Sequence, residues 1–146
     1  MMYYLLYWGV KSGKFKESDL IDILVRARQH NVRSSITGAL IYCQGTFIQL
    51  LEGPELEVRR LFDSISRDER LAALDVVSQG NISQRHFDSW AMKYGEIDQE
   101  TIAKLEDYPI SDVSKYLKNA PAIRLLSLMG RLGIPNADDA GKPIEP

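Results

Sequence analysis

The spacing of hydrophobic and polar positions predicts a strand followed by a helix at the start of this chain. An almost wholly apolar run over 2–9 is typical of a buried, central β-strand. Apolar residues then recur at helical spacing over 18–30, with Ser18 placed to cap the helix and acidic residues in the first turn. The pattern therefore changes from a strand to an amphipathic helix within the first 30 residues.

A hairpin and a second helix are predicted next. Two apolar runs, 36–43 and 46–52, flank a Gln-Gly pair in which Gly45 can adopt a positive φ. Pro54 suits the first helical position, and apolar residues at helical spacing then predict a helix over 54–66.

Two further runs, 74–82 and 89–95, are strand candidates and complete the order β-α-β-β-α-β-β. This order predicts an α+β, ferredoxin-like fold in which both helices cover one face of the sheet.

Beyond Gly95 the chain becomes a series of short helical patterns broken by prolines. We expect a domain over 1–95 and a C-terminal helical cap over 96–133, with helices near 98–107, 111–119 and 122–131. The last segment, 134–146, combines proline, glycine and charge with few large apolar residues, which predicts a flexible tail.

Composition narrows the classes of function. The 146 residues are 45% hydrophobic, enough for one core, and the net charge of −2 lacks the basic surplus expected of a nucleic-acid-binding protein. Cys43 is the single cysteine, so no intrachain disulfide can form, and no metal-ligand spacing or phosphate-binding loop occurs. The initial apolar run is too short to cross a membrane. We expect a cytoplasmic protein without enzymatic turnover.

Gln49 is the least expected residue in its surroundings, because it interrupts the apolar run FIQLL. A buried amide is costly unless both its donor and its acceptor are satisfied. Gln49 is thus either a buried amide whose two ends are both hydrogen-bonded or a solvent-facing residue of an edge strand. Tyr7, within the first strand, is most simply a core tyrosine, and a buried phenol usually has a hydrogen-bond partner.

Other polar residues allow both structural and functional interpretations. Asn31 is expected at the end of the first helix, where it could act as a C-cap. Arg70 is either a solvated arginine or a donor to phosphate groups. Trp90 and Met92 alternate in the last predicted strand and so share one face, where simple packing would also explain them.

Several motifs taken together resemble one known family. YYLLY (3–7), HNVRSSITGALIY (30–42), FIQLLEGP (47–54), RDER (67–70) and RHFDSWAM (85–92) resemble the BLUF domain, a blue-light sensor that uses FAD. The resemblance runs from about Met2 to Tyr94. It implies a photoreceptor whose FAD lies between the first two helices, and which signals to a downstream protein or through a homo-oligomer.

The resemblance also assigns roles to individual residues. Tyr7 gives an electron and then a proton to the excited flavin, and rotation or tautomerisation of the Gln49 amide re-pairs the hydrogen bonds. Trp90 and Met92 relay the signal. In the family arrangement, Asn31 hydrogen-bonds to the polar edge of the flavin and Arg70 meets the FAD phosphates. The expected neighbours of the flavin ring are Ile23, Leu24, Ile36 and Ile65.

The chain departs from the family pattern at two places. Trp8 and Gly9 follow Tyr7 where small polar residues are usual, and Leu71 follows Arg70 where histidine is common. Strand alternation places Trp8 on the face opposite Tyr7. The alternative function is a ferredoxin-like interaction or ligand-binding module without photochemistry. An RNA-binding sheet is disfavoured because TFIQLLEG offers one aromatic residue and no basic one.

Overall fold

The structure is a computed structural model that describes residues 2–87, 93–96, 98–107 and 109–131, apart from the side chains of Ile21, Leu24 and 93–96. Strands and helices follow the predicted order. Their bounds are β1 (Met2–Lys11), α1 (Asp19–Ser34), β2 (Thr37–Cys43), β3 (Thr46–Pro54), α2 (Glu55–Ser66), β4 (Leu71–Ile82), β5 (Lys93–Glu96), α3 (Gln99–Glu106), α4 (Val113–Asn119) and α5 (Ala122–Arg131).

The strands form one five-stranded sheet in the order β4-β1-β3-β2-β5. The pairs β4–β1, β1–β3 and β3–β2 are antiparallel, and β5 runs parallel to β2. The predicted α+β, ferredoxin-like fold is confirmed. β3 lies at the centre of the sheet, between β1 and β2.

Each face of the sheet has its own hydrophobic core because side chains alternate along the strands. Tyr3, Leu5 and Tyr7 of β1 face the core shared with α1 and α2. Leu6 faces the opposite core, which it shares with the C-terminal helices. Trp8 also packs on that second side, so its predicted direction, away from Tyr7, is confirmed.

The C-terminal helices supply about half of the second core. Ile102 of α3, Leu117 of α4 and Leu128 of α5 are fully buried there, facing Ile48 and Leu50 of β3. Full burial of such side chains contributes about 1.5–3 kcal/mol each. The domain boundary at residue 95 stays a prediction. The flexible tail also stays a prediction, because residues 132–146 lie outside the described residues.

The ends of α1 differ from the prediction. The helix continues to Ser34, and Ser35 ends it in the left-handed region at φ 58°, donating its N–H to the carbonyl of Asn31. Asn31 therefore lies inside the last turn and is not the C-cap. Ser18 makes no side-chain capping bond, whereas Asp19 accepts a hydrogen bond from the Lys16 N–H at 2.8 Å.

The β2–β3 hairpin turns where the sequence predicts it. Gly45 has a φ of +84° and Gln44 a φ of 47°, which is the paired positive φ of a tight hairpin turn. This turn sets the register that places Leu40 opposite Gln49.

The last two strands differ more from the prediction. β4 begins at Leu71, three residues early, and the described part of β5 is Lys93–Glu96. Trp90 and Met92 lie outside the described residues. Within the described part of the chain, no helix is long and apolar enough to span a membrane. In the same part, no cluster of His, Cys, Asp or Glu is arranged to hold a metal ion.

Candidate functional site

A cavity of about 510 Å³ lies between α1 and α2 above the sheet. Its volume falls within the range of small-molecule sites, about 300–1,000 Å³. Strand residues form its base and helix residues form its walls. The lining residues are Tyr7, Ile23, Arg26, Ala27, His30, Leu40, Phe47, Gln49, Glu57, Arg60, Leu61, Ser64, Ile65, Asp68, Arg70 and Leu71.

Tyr7 and Gln49 form a polar pair at the base of the cavity. They are direct partners in the register between β1 and β3, and the Tyr7 hydroxyl donates a hydrogen bond to Gln49 Oε1. Gln49 is 5% exposed and lies on the central strand. The alternative of a solvent-facing, edge-strand glutamine is therefore wrong.

The surroundings of Tyr7 keep its phenol protonated. Its ring packs edge-to-face against Phe62, with 5.3 Å between the ring centroids. Burial raises the pKa of Tyr7 well above its usual value, and the negative charge of Asp68 raises it further. Tyr7 is thus a neutral hydrogen-bond donor across the physiological pH range.

Of the four expected ring neighbours, two line the cavity. Ile23 lies on α1 and Ile65 on α2, so they stand on opposite walls. Ile36 is buried in the core that the sheet shares with α1 and α2 and is not among the lining residues. The Leu24 side chain lies outside the described residues.

Asn31 is fully buried in the last turn of α1 but is not among the residues that line the cavity. Its backbone carbonyl accepts the N–H of Ile36 at 2.9 Å, which fixes the turn into β2. Its Oδ1 atom receives no hydrogen bond within the described residues, while the residue makes polar contacts elsewhere.

Arg70 lines the cavity within a group of carboxylates. Its guanidinium donates to Asp68, with Nη2 2.7 Å from Oδ2 and Nε 3.0 Å from Oδ1. Asp22 and Asp19 lie 3.8 and 4.0 Å from Nη1. The Arg70 hydrogen bond lowers the pKa of Asp68. The positive charge of Arg70 is therefore largely balanced before any anion approaches.

Sequence reasoning missed most of the cavity wall. Ala27 and His30 follow Ile23 at the i, i+4 and i+7 positions of α1, and helical spacing could have found them. Leu40 and Phe47 share a sheet face with Gln49, which strand alternation and the hairpin register could have shown.

The fold and the site define a class of protein: an α+β domain with a largely apolar cavity between two helices and a buried tyrosine–glutamine pair at its base. Residues 2–93 match the family model described as BLUF, sensors of blue-light using FAD. The chain belongs to this family, whose function is blue-light sensing with a flavin.

Relatives with this domain occur both within large proteins and as short chains. The chain is 32% identical over 114 residues to photoactivated adenylate cyclase subunit beta of Euglena gracilis, which covers 77% of the chain but 13% of that protein. It is 27% identical to the BlsA ground-state structure, with a TM-score of 0.79, covering 97% of this chain and 96% of that one.

A second structural likeness is to BlrB, described as a BLUF protein in its dark state. The identity is 25% and the TM-score 0.72, over 87% of this chain and 93% of that one. The chain spans about an eighth of the length of the cyclase subunit, so the cyclase activity is a property of that relative and is not transferred to this chain.

Proposed function

We propose that this chain is a blue-light photoreceptor that binds FAD in the cavity between α1 and α2, with Tyr7 and Gln49 as the photoactive pair. The observation that carries the proposal is the hydrogen bond from the Tyr7 hydroxyl to Gln49 Oε1 at the base of a cavity of about 510 Å³. The bound flavin would supply absorption of blue light and an acceptor for an electron.

The residues present fit such a cofactor. Ile23 and Ile65 offer apolar walls to a ring, and the Gln49 amide offers both a donor and an acceptor at the base. Arg70 stands at the same cavity as a donor to phosphate. Two buried residues lie beside the cavity without lining it, Asn31 in the last turn of α1 and Ile36 directly before β2. We assign them the role of holding the cavity walls in place.

FAD rather than a shorter flavin is the finer part of the proposal. Arg70 would increase the binding affinity only of flavins that carry phosphate. Its guanidinium already donates a hydrogen bond to Asp68. Relative affinity for FAD, FMN and riboflavin is therefore the quantity that identifies the natural cofactor.

The chain itself provides a two-state element. In the structure, Tyr7 donates to the Gln49 oxygen. After a half-turn of the amide, Tyr7 would face its nitrogen, whereas tautomerisation would leave the oxygen in place and turn it into a hydroxyl donor. Such a change can bias a partner's binding by about 1–3 kcal/mol, a typical coupling free energy. Tyr7 can release an electron and a proton only because its phenol is protonated in the dark.

The proposed output passes through the segment that carries Trp90 and Met92 to a downstream signalling protein or a homo-oligomer interface. We assign the described residues a sensory role without catalytic turnover, and we place the protein in the cytoplasm, without a nucleic-acid or membrane partner. The buried free thiol of Cys43 is consistent with a reducing compartment.

The test is an absorption spectrum of the protein purified in the dark, repeated directly after blue light and during dark recovery. The expected result is a flavin band that shifts reversibly to the red by a small amount. A colourless protein that takes up no added FAD would overturn the proposal in favour of an interaction module. Bound flavin without a shift would overturn the assigned photochemistry alone.

A further inference from the structure

Glu52 is a fully buried carboxylate near the end of β3. It accepts hydrogen bonds from two consecutive backbone N–H groups, with His86 N 2.9 and 2.8 Å from its two oxygens and Phe87 N 3.0 Å from Oε1. His86 Nδ1 lies 2.6 Å from Oε2. Sequence reasoning assigned Glu52 no role.

A second contact fixes the same segment beside Glu52. Arg85 Nη1 donates to the Glu52 backbone carbonyl at 3.0 Å and to Thr37 Oγ1 at 2.9 Å. Glu52 and Thr37 are partners in the register of β2 and β3. Segment 85–87 is therefore attached to a defined point on two central strands, and we call these contacts the Glu52 clamp.

The chemistry of the clamp is specific. A carboxylate is costly to bury unless its oxygens are satisfied, and in the described residues the groups that satisfy it come from one short segment. Hydrogen bonds to a charged acceptor are shorter and stronger than neutral ones and depend steeply on distance and angle. A small displacement of β3 relative to segment 85–87 would therefore weaken several bonds at once.

We propose that Glu52 is a positioning residue that couples β3, the strand of Gln49, to segment 85–87. Through this segment the coupling extends to the following residues, which include Trp90 and Met92. The part of this proposal that concerns light rests on the proposed function. Gln49 and Glu52 are three residues apart on one strand, and their side chains face opposite sides of the sheet. A change of hydrogen-bond partner at Gln49 on one face of the sheet would thus displace β3 and act on segment 85–87, on the other face, through the Glu52 clamp.

The dark state tests the clamp itself. Amide hydrogen exchange at His86 and Phe87, followed by NMR in the full-length protein, should accelerate at least tenfold in Glu52→Gln, which keeps the size of the side chain but loses its charge. Glu55→Gln is the matched control, because Glu55 pairs with Arg59 on the exposed side of α2. Unchanged exchange at both amides in Glu52→Gln would overturn the clamp.

The lit state tests the coupling. In the wild-type chain, blue light should change exchange at His86 and Phe87; in Glu52→Gln, the flavin shift should persist while this light-dependent difference falls by more than half. A difference of wild-type size in the variant would overturn the coupling. A wild-type chain without any shift overturns the photoreceptor function and the coupling to light, while dark-state exchange still decides whether Glu52 holds the segment.

A second variant protects the test against misfolding of Glu52→Gln. Arg85→Met removes the outer contact and leaves the carboxylate and its N–H partners in place. It should accelerate exchange at His86 and Phe87 by less than Glu52→Gln does, and reduce the light-dependent difference in part. If Arg85→Met leaves both quantities at their wild-type values, the outer contact has no part in the clamp.

Discussion

Tyr7 and Gln49 are cross-strand partners that share one buried hydrogen bond, with the phenol as donor and the amide oxygen as acceptor. A second pair in the same sheet has the same chemistry, since the Tyr3 hydroxyl donates to Gln79 Oε1 at 2.9 Å. Gln49 is buried at the base of the cavity, whereas Gln79 lies on the edge strand β4 and is exposed. Position, and not the residue pair alone, makes the first pair a candidate switch.

Replacing Gln49 with leucine is the most direct test of the switch. We expect Gln49→Leu to retain flavin, because leucine keeps an apolar base for the cavity, and to lose the light-induced red shift, because leucine offers no donor or acceptor. Light-minus-dark absorption spectra measure this. Gln79→Leu is the matched control and should keep the shift. A full shift in Gln49→Leu would exclude Gln49 as the switch.

Filling the cavity should remove the cofactor without unfolding the protein. Ala27 lines the cavity from α1, so Ala27→Leu adds apolar volume where a ring would lie. We expect flavin affinity to fall at least tenfold, a change of about 1.4 kcal/mol in binding free energy. Val25→Leu, at a position 46% exposed on the same helix, is the control. An unchanged flavin-to-protein ratio in Ala27→Leu would place the cofactor elsewhere.

The element order and the face of Tyr7 and Gln49 could be predicted because both follow from local periodicity. Strands repeat every two residues and helices every 3.6, so the sequence carries that information. The end of α1 could not be predicted in the same way. Residues 31–37 include no glycine or proline, and the helix ends where Ser35 adopts a left-handed conformation.

The Glu52 clamp and the carboxylate neighbours of Arg70 could not be predicted, for a different reason. Glu52 meets His86, 34 residues away, and Arg70 approaches Asp19 and Asp22 on a helix some 50 residues earlier. Such contacts depend on how separate elements pack, which no local pattern encodes. Glu52 also appears at the end of a strand, where an acidic residue is expected to face solvent.

The raised pKa of Tyr7 predicts a loss of stability in alkali. Below about pH 10 the phenol is protonated in both the folded and the unfolded chain. Above that pH the unfolded chain releases this proton while the folded chain keeps it, so the free energy of unfolding falls by about 1.4 kcal/mol per pH unit.

Urea denaturation of the wild type and Tyr7→Phe from about pH 9 to pH 11 measures this loss, since phenylalanine has no proton to release. Other titrating groups are common to both proteins and cancel in the difference. Parallel stability curves for the two proteins would show that Tyr7 titrates normally and is not shielded by burial.

Gly38 should be intolerant of any side chain. A Cβ at this position would lie 1.9 Å from the carbonyl oxygen of Leu50 on the neighbouring strand β3. Gly38→Ala should therefore reduce the free energy of unfolding by about 2 kcal/mol or more, because β2 and β3 must separate next to Gln49. Gly13→Ala is the control, since a Cβ there meets nothing within 4 Å. Thermal and urea denaturation of both variants compare them, and equal stabilities would contradict the close packing.

The carboxylates around Arg70 should weaken the site's preference for phosphate-bearing flavins. Asp68→Asn removes a negative charge from Arg70 while its amide oxygen can still accept the backbone N–H of Arg70. We expect the affinity for FAD relative to riboflavin to rise about two- to fivefold, as for an exposed charge interaction of up to about 1 kcal/mol, and the gain to shrink at high salt.

Arg70→Met should change the same ratio in the opposite direction, because it removes the cation that a phosphate would meet. Glu69→Gln is the matched control: Glu69 is exposed and pairs with Lys14 at 2.9 Å, so its charge can be removed without touching Arg70. Fluorescence titration of the apoprotein with FAD and riboflavin gives both affinities. If Asp68→Asn and Arg70→Met leave the ratio of affinities unchanged, the phosphates lie away from Arg70, and this guanidinium serves to tie α1 to the start of β4.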